Sequence, residues 1–135
     1  MNFVLPSNVE NLVLQGAADL QGYGNGLVNA LFGNTGINAL NGEAGADTLT
    51  GDAGDDAFIF DAGEAGGDTV ADFAGNGAAV GDVLLFTGFG TAAGGATFTQ
   101  INATQWQIHS GLDAHNEIIT LMNGATVDAT DLGFI

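Results

Sequence analysis

Residues 42–59 read GEAGADTLTGDAGDDAFI, two nine-residue units laid end to end. Each opens on glycine (Gly42, Gly51) and repeats glycine at its fourth place (Gly45, Gly54). The sixth place is aspartate (Asp47, Asp56) and the eighth is a large apolar residue (Leu49, Phe58). The phase extends upstream through GNTGINALN (33–41) and GNGLVNALF (24–32), and returns after a three-residue slip at 60–62 as GEAGGDTVA (63–71). The sixth place therefore runs Asn29, Asn38, Asp47, Asp56, Asp68, and the eighth runs Leu31, Leu40, Leu49, Phe58, Val70. Six turn-forming residues followed by three strand-like ones cannot sustain a helix or a long strand. They build a tight loop and a short strand, and two such units close a flat coil of eighteen residues. Stacked coils pair their strands in parallel at about 4.8 Å. Eighth-place residues then point inward, and units two apart in sequence lie directly above one another.

The charge is one-sided: sixteen Asp plus Glu against no Lys or Arg, a formal −16. Each carboxylate must stand in water, accept from backbone N–H groups, or be neutralised from outside. Nucleic acid is excluded as a partner because it brings no positive charge. With 46% apolar residues and nine Phe the chain is no disordered acidic tail. The absence of cysteine rules out disulfides and thiolate metal sites. No apolar stretch approaches the roughly 18–20 residues of a membrane span, and the start MNFVLPSNVE lacks the pattern of a Sec-type signal. It reads as the middle of a strand pattern, which predicts a C-terminal piece of a longer protein.

Sixth-place carboxylates stacked roughly 5 Å apart repel by several kcal/mol at an effective dielectric near 20. A Ca²⁺ ion takes six to eight oxygens at about 2.3–2.6 Å and fits between two such layers, with loop carbonyls supplying the rest of its shell. The regular acids make sense once a divalent cation is counted as part of the fold.

These units resemble the calcium-binding nonapeptide G-G-x-G-x-D-x-U-x of RTX proteins, a known pattern. The resemblance covers residues 24–71. FVLPSNVENLVLQGAADLQGYGNG upstream resembles a degenerate lead-in, and DTVADF (68–73) with GDVLLF (81–86) is similar to the segment that closes RTX rolls. The second-place glycine is replaced throughout, by Asn25, Asn34, Glu43 and Asp52, and Leu27 stands at the fourth place of the first unit. The resemblance implies Ca²⁺ as the bound ion, held by loop residues of successive units. These are Gly24, Gly26 and Asn29; Gly33, Thr35 and Asn38; Gly42, Glu43, Ala44, Gly45 and Asp47; Asp52, Gly54 and Asp56; and Glu64, Gly66 and Asp68, with Asp72 beyond. Loop 42–47 facing 63–68, through Asp47 and Asp68, ranks first. Loop 33–38 facing 51–56, through Asn38 and Asp56, comes next, and Asn29 with Asp47 is weakest because an amide brings no charge. For Asp52, Asp55, Glu43 and Glu64 the expectation is exposed side chains with only carbonyls near a metal. Asp72 and Asp82 either complete a further site or cap turns.

From residue 96 the pattern turns to period two: ATFTQI, QWQIH and NEIITLM, with Asn123-Gly124 a hairpin signal before ATV. This predicts an antiparallel meander capping the roll, with Trp106, Ile108, Ile119, Leu121 and Phe134 in its core. The fold class expected is all-β: lead-in 1–23, calcium-binding parallel β-roll 24–73, and C-terminal β cap 74–135. The ending ATDLGFI, beside the repeat, is similar to the uncleaved signal of type I secreted proteins.

Blander readings stand beside these. Asp47, Asp56 and Asp68 could be solvated loop acids, but their phase with glycine and the apolar eighth place favours ligation. His109 and His115, with Asp113 and Glu117, imitate a zinc site but more simply flank the polar turn HSGLDAHNE. Asn102-Ala103-Thr104 fits a sequon yet reads as a turn, and GYGNG (22–26) lacks the strand-to-helix context of a phosphate loop. The serines carry no G-x-S-x-G and the histidines no H-E-x-x-H, so the chain is read as non-catalytic. The function expected is a calcium-binding module that folds on Ca²⁺ after passage through a type I secretion apparatus, secreted or at the bacterial cell surface, with no membrane insertion. The alternatives are a calcium-dependent adhesin, surface-layer or polysaccharide-binding module, which exposed Trp106 and Tyr23 would favour, or the last module of a polysaccharide-modifying enzyme.

Overall fold

The computed structural model describes residues 1–75 and 81–135. Among these residues thirteen short strands follow one another: β1 Asn2–Val4, β2 Asn11–Val13, β3 Gln21–Tyr23, β4 Ala30–Phe32, β5 Ala39–Asn41, β6 Thr48–Thr50, β7 Ala57–Asp61, β8 Thr69–Val70, β9 Val83–Thr87, β10 Thr97–Gln100, β11 Gln105–His109, β12 Asn116–Leu121 and β13 Leu132–Phe134. Alternate strands join opposite sheets, β1-β3-β5-β7-β9-β13 in one and β10-β11-β12-β8-β6-β4-β2 in the other. This alternation makes the parallel β-roll.

The eighteen-residue coil is read directly from the register: Leu31 lies opposite Leu49 and Leu40 opposite Phe58. The slip is absorbed in a loop, so Leu49 still meets Val70. All five eighth-place residues are fully buried. Residues ahead of the closely matching units already form coils, with β1 paired to β3 and β2 to β4.

Towards the other end the core widens and fills with phenylalanine. Phe86 is fully buried, with ring centroids of Phe60, Phe89, Phe98 and Phe134 between 5.0 and 6.1 Å away. The meander forms as β10, β11 and β12, antiparallel, and β12 lies parallel to β8, so it continues one sheet past the last coil. Trp106, Ile108, Ile119 and Leu121 are buried in the core, and Phe134 packs against it half-buried.

The expected hairpin at Asn123-Gly124 does not form, and ATV is not a strand. The turn itself is there, with Gly124 at φ 61° and its N–H on the carbonyl of Leu121. Both edges of β12 are already taken by β11 and β8, whereas the outer edge of β9 is open. The chain crosses over, turns through a capping box between Asp128 and Asp131, and lays β13 parallel to β9. Asp131, read as part of a terminal signal, is thereby buried as a cap.

Candidate metal centre

Each loop of the roll stacks on the loop one coil earlier, and the sixth place is the hinge of that stacking. Its backbone N–H donates to the sixth-place carboxylate of the next coil. Asn29 donates to Asp47 Oδ1 at 2.7 Å and Asp47 to Asp68 Oδ1 at 2.9 Å along one edge. Asn38 donates to Asp56 Oδ1 at 2.7 Å and Asp56 to Asp82 Oδ1 at 2.8 Å along the other. Asp82 is thus the sixth-place residue of the last coil. The sequence carried that signal, because Asp82-Val83-Leu84 repeats the aspartate, strand residue, apolar order of Asp47-Thr48-Leu49.

These carboxyls are all buried. Burial pushes Asp47 and Asp56 up to about 6 and Asp68 up to about 7, and it raises Asp82 as well. Among the described residues only two carboxyl oxygens are buried with no partner at all, Asp47 Oδ2 and Asp56 Oδ2. A buried charged oxygen left unpaired costs several kcal/mol on the order of a lost charged hydrogen bond or more.

The surroundings of the two orphans match. A Cβ built on Gly42 would stand 2.3 Å from Asp47 Oδ2, and one on Gly51 would stand 2.3 Å from Asp56 Oδ2. Gly45 similarly faces the carbonyl of Leu27, and Gly54 that of Gly36, at 2.3 and 2.4 Å from a notional Cβ. The carbonyls of Gly42 and Gly51 face Gly24 and Gly33 across the same junctions. Bare glycine backbone therefore lets carboxylate and carbonyl oxygens crowd together twice, at 24–29 against 42–47 and at 33–38 against 51–56. No three His, Cys, Asp or Glu side chains gather as a metal-binding group among the described residues. A cation here would draw most of its oxygens from the backbone, which suits Ca²⁺.

The orphans belong to the junctions ranked second and third from sequence. At the junction ranked first, Asp68 lies over Asp47 and the loop 63–68 is held from its far side by β12. Gly63 N–H donates to Glu117 Oε1 at 2.6 Å and Gly67 N–H to the Ile118 carbonyl at 2.9 Å. Glu64 and Gly66 lie in this loop, with Glu64 half-buried, where an exposed side chain was expected, and Gly66 open to solvent. Asp72 spends its carboxylate on the N–H groups of Gly51 and Asp52, at 2.9 and 2.8 Å. Asp82 Oδ2 accepts from Ala74. Both acids cap turns. Asp52 and Asp55 are exposed, while Glu43 is half-buried and raised by burial, then by Glu64 and Asp61. Gly26 meets open space, Ala44 is half-buried, and Thr35 is exposed with its hydroxyl 3.5 Å from the Gly16 carbonyl.

The histidines do not converge. His115 bridges two acids, Nδ1 to Asp113 and Nε2 to Glu117 Oε1 at 2.8 Å, while His109 Nδ1 pairs with Asn116 Oδ1. Those hydrogen bonds raise the His115 pKa, and the one from His115 holds Asp113 down at about 2. The turn Asn102–Thr104 is an Asx turn, with Asn102 Oδ1 accepting from Thr104 and Gln105.

No curated protein matches the chain. The family of the RTX calcium-binding nonapeptide repeat (4 copies) matches it in two overlapping stretches, 23–58 and 32–70. Both stretches fall on the stacked loops whose carboxylates and carbonyls crowd together. Residues 23–70 are RTX calcium-binding nonapeptide repeats, and the ion they bind is Ca²⁺.

Proposed function

We propose that the roll holds one Ca²⁺ at each of two junctions, 24–29/42–47 and 33–38/51–56, and that this binding completes its folding outside the cell. The observation that carries the reading is the matched pair of buried, unpartnered oxygens, Asp47 Oδ2 and Asp56 Oδ2. In the same junctions the carbonyls of Leu27 and Gly42, and of Gly36 and Gly51, face bare glycines of the adjoining loop. Bound calcium supplies the positive charge that a chain without Lys or Arg cannot supply itself.

Coupling follows from mass action: a ligand that binds only the folded form stabilises it as its concentration rises above the dissociation constant. Cytosolic calcium is scarce, whereas extracellular calcium modules are tuned to about 10⁻⁴–10⁻³ M. The coils from residue 42 onward would stay loose before export through a type I secretion apparatus and stiffen after it, as part of a larger secreted bacterial protein. Its own role is structural rather than catalytic. No helix among the described residues is long and apolar enough to cross a membrane.

The polysaccharide-binding reading loses its motive, because Trp106 is buried and stacked on Phe98 at 4.8 Å while Tyr23 is half-buried. Calorimetric titration with Ca²⁺, followed by circular dichroism, tests the proposal. Two ions and a calcium-dependent gain of β signal are expected, with Mg²⁺ a poor substitute because it demands a tighter octahedron. Absence of binding at millimolar calcium would overturn it.

A further inference from the structure

The first two junctions of the roll, 5–10 against 24–29 and 14–20 against 33–38, are built like the two calcium junctions but contain something else. Asn25 Nδ2 donates to the carbonyls of Pro6 and Val9 at 2.7 and 2.8 Å. Asn34 Nδ2 donates to those of Gln15 and Ala18 at 3.4 and 3.1 Å. Each second-place amide thus reaches from its own loop to two carbonyls of the coil before. Its oxygen is satisfied at home, Asn25 Oδ1 by Leu27 N–H at 2.9 Å and Asn34 Oδ1 by Gly36 N–H at 2.7 Å. That pattern fixes which atom is nitrogen, since carbonyls accept and an N–H must meet oxygen.

The sixth-place amides complete the network. Asn29 Nδ2 donates to Asn25 Oδ1 at 3.2 Å and Asn38 Nδ2 to Asn34 Oδ1 at 3.1 Å. Asn29 Oδ1 and Asn38 Oδ1 accept from the backbone N–H of Asn25 and Asn34, both at 2.7 Å.

One coil later every part of this arrangement is inverted. Glu43 and Asp52 replace the second-place asparagines and take φ of 64° and 71°. Their N–H groups turn to other acceptors, Asn41 Oδ1 and Asp72 Oδ2. Asp47 Oδ2 and Asp56 Oδ2 thereby lose the donor that Asn25 and Asn34 give to the sixth place, and they are the two oxygens left bare.

We infer that the side-chain amides of Asn25 and Asn34 are built-in substitutes for the cation, and that they decide which junctions take calcium. Each presents a pair of N–H donors to carbonyls of the preceding coil, the task a divalent ion performs by coordination in the coils above. The chain accordingly takes two ions rather than four, and residues 2–41 hold their stack in the absence of calcium. They offer a preformed edge, β4 and β5, onto which the calcium-requiring coils add. The inference rests on the two-site reading of the preceding section.

Hydrogen exchange of the whole chain in calcium and in EDTA, with calorimetry for stoichiometry, tests it. The reporters are the N–H of Leu14 on Phe32, of Ala30 on Glu10 and of Ala39 on Leu20, all between early coils. In the wild-type chain their protection should be the same in both conditions, while Thr69 and Val83 N–H lose theirs in EDTA. Asn25→Asp places a carboxylate against two carbonyls, so Ala30 protection should fall at least tenfold in EDTA and return with calcium. Asn25→Ala removes the donors without adding charge, so its loss should be equal with and without calcium. Asn34→Asp should do for Ala39 what Asn25→Asp does for Ala30. No calcium bound by the wild-type chain would overturn the two-site reading itself. Two ions bound together with loss of the early-coil reporters in EDTA would overturn the inference alone, as would identical calcium responses of Asn25→Asp and Asn25→Ala.

Discussion

Protons should do part of calcium's work, with opposite sign when the ion is present. Without calcium, burial holds the Asp47 and Asp56 carboxyls at about 6 against an ordinary 3.8. A group whose pKa is higher folded than unfolded binds more protons in the folded state. Stability then rises as pH falls through the folded value and is lost as pH climbs back through it. Each shift of about two units corresponds to ~3 kcal/mol. Relaxation of the loops reduces this, leaving a combined gain of about 2–6 kcal/mol, a large share of the roughly 5–15 kcal/mol that holds a domain together. The gain accumulates as pH drops from above 6 towards 3.8. With calcium bound, the charged carboxylates are the favoured form, so acid competes with the ion and stability falls over the same window. Urea midpoints measured in metal-free and in calcium-saturated buffer between about pH 7.5 and about pH 4.5 should diverge in slope. His115 adds stability below its own raised pKa, and a His115→Gln variant removes that contribution from the comparison. A metal-free midpoint that stays flat or falls on acidification would refute the reasoning, since the buried carboxyls would then carry no penalty.

Three further outcomes are expected. Asp47→Asn and Asp56→Asn should each lower calorimetric stoichiometry by one ion, while Asp72→Asn, whose carboxylate is taken by two N–H groups, should leave it unchanged and cost about 1–3 kcal/mol in stability. Gly42→Ala or Gly51→Ala should abolish binding at its own junction only, because the new methyl meets the ligand oxygen; single-site titrations in the partner variant check this. Phe86→Ala should cost about 3–5 kcal/mol by urea denaturation, with calcium stoichiometry intact, since four rings lose a common neighbour.

The roll was legible because its information is local. A loop and a strand of fixed length force the eighth place inward, so Leu31, Leu40, Leu49, Phe58 and Val70 could be assigned to the core without knowing anything else. The cap strands 97–100, 105–109 and 116–121 were legible for the same reason, their alternation being written residue by residue. What escaped depends on distant partners. β13 was invisible as a strand because its reason to exist is the open edge of β9, some 48 residues earlier (Leu84 to Leu132). The ranking of junctions assumed that two charges make the better site. It could not foresee that Asp68 is overlain by β12, nor that a turned N–H at Glu43 strips Asp47 of its donor. Asn25 and Asn34 read as defects in the motif, since an amide shows its worth only against the carbonyls it faces.

The placement of β12 and β13 bears on the order of assembly once calcium is present. Early coils can be added one after another, each strand finding its neighbour about eighteen residues back. The outer edges of β8 and β9 cannot be closed that way. Thr69 waits for Thr120 and Leu84 for Leu132, so a chain lacking residues 116–135 leaves β8 unpaired on its outer edge. Exposed parallel edges of this kind are templates for pairing between chains. Closing loops of about 50 residues adds little to the equilibrium cost but slows the last step. In calcium, a chain cut before residue 116 should therefore yield a half-built roll that pairs with its own kind, whereas residues 116–134 close both edges.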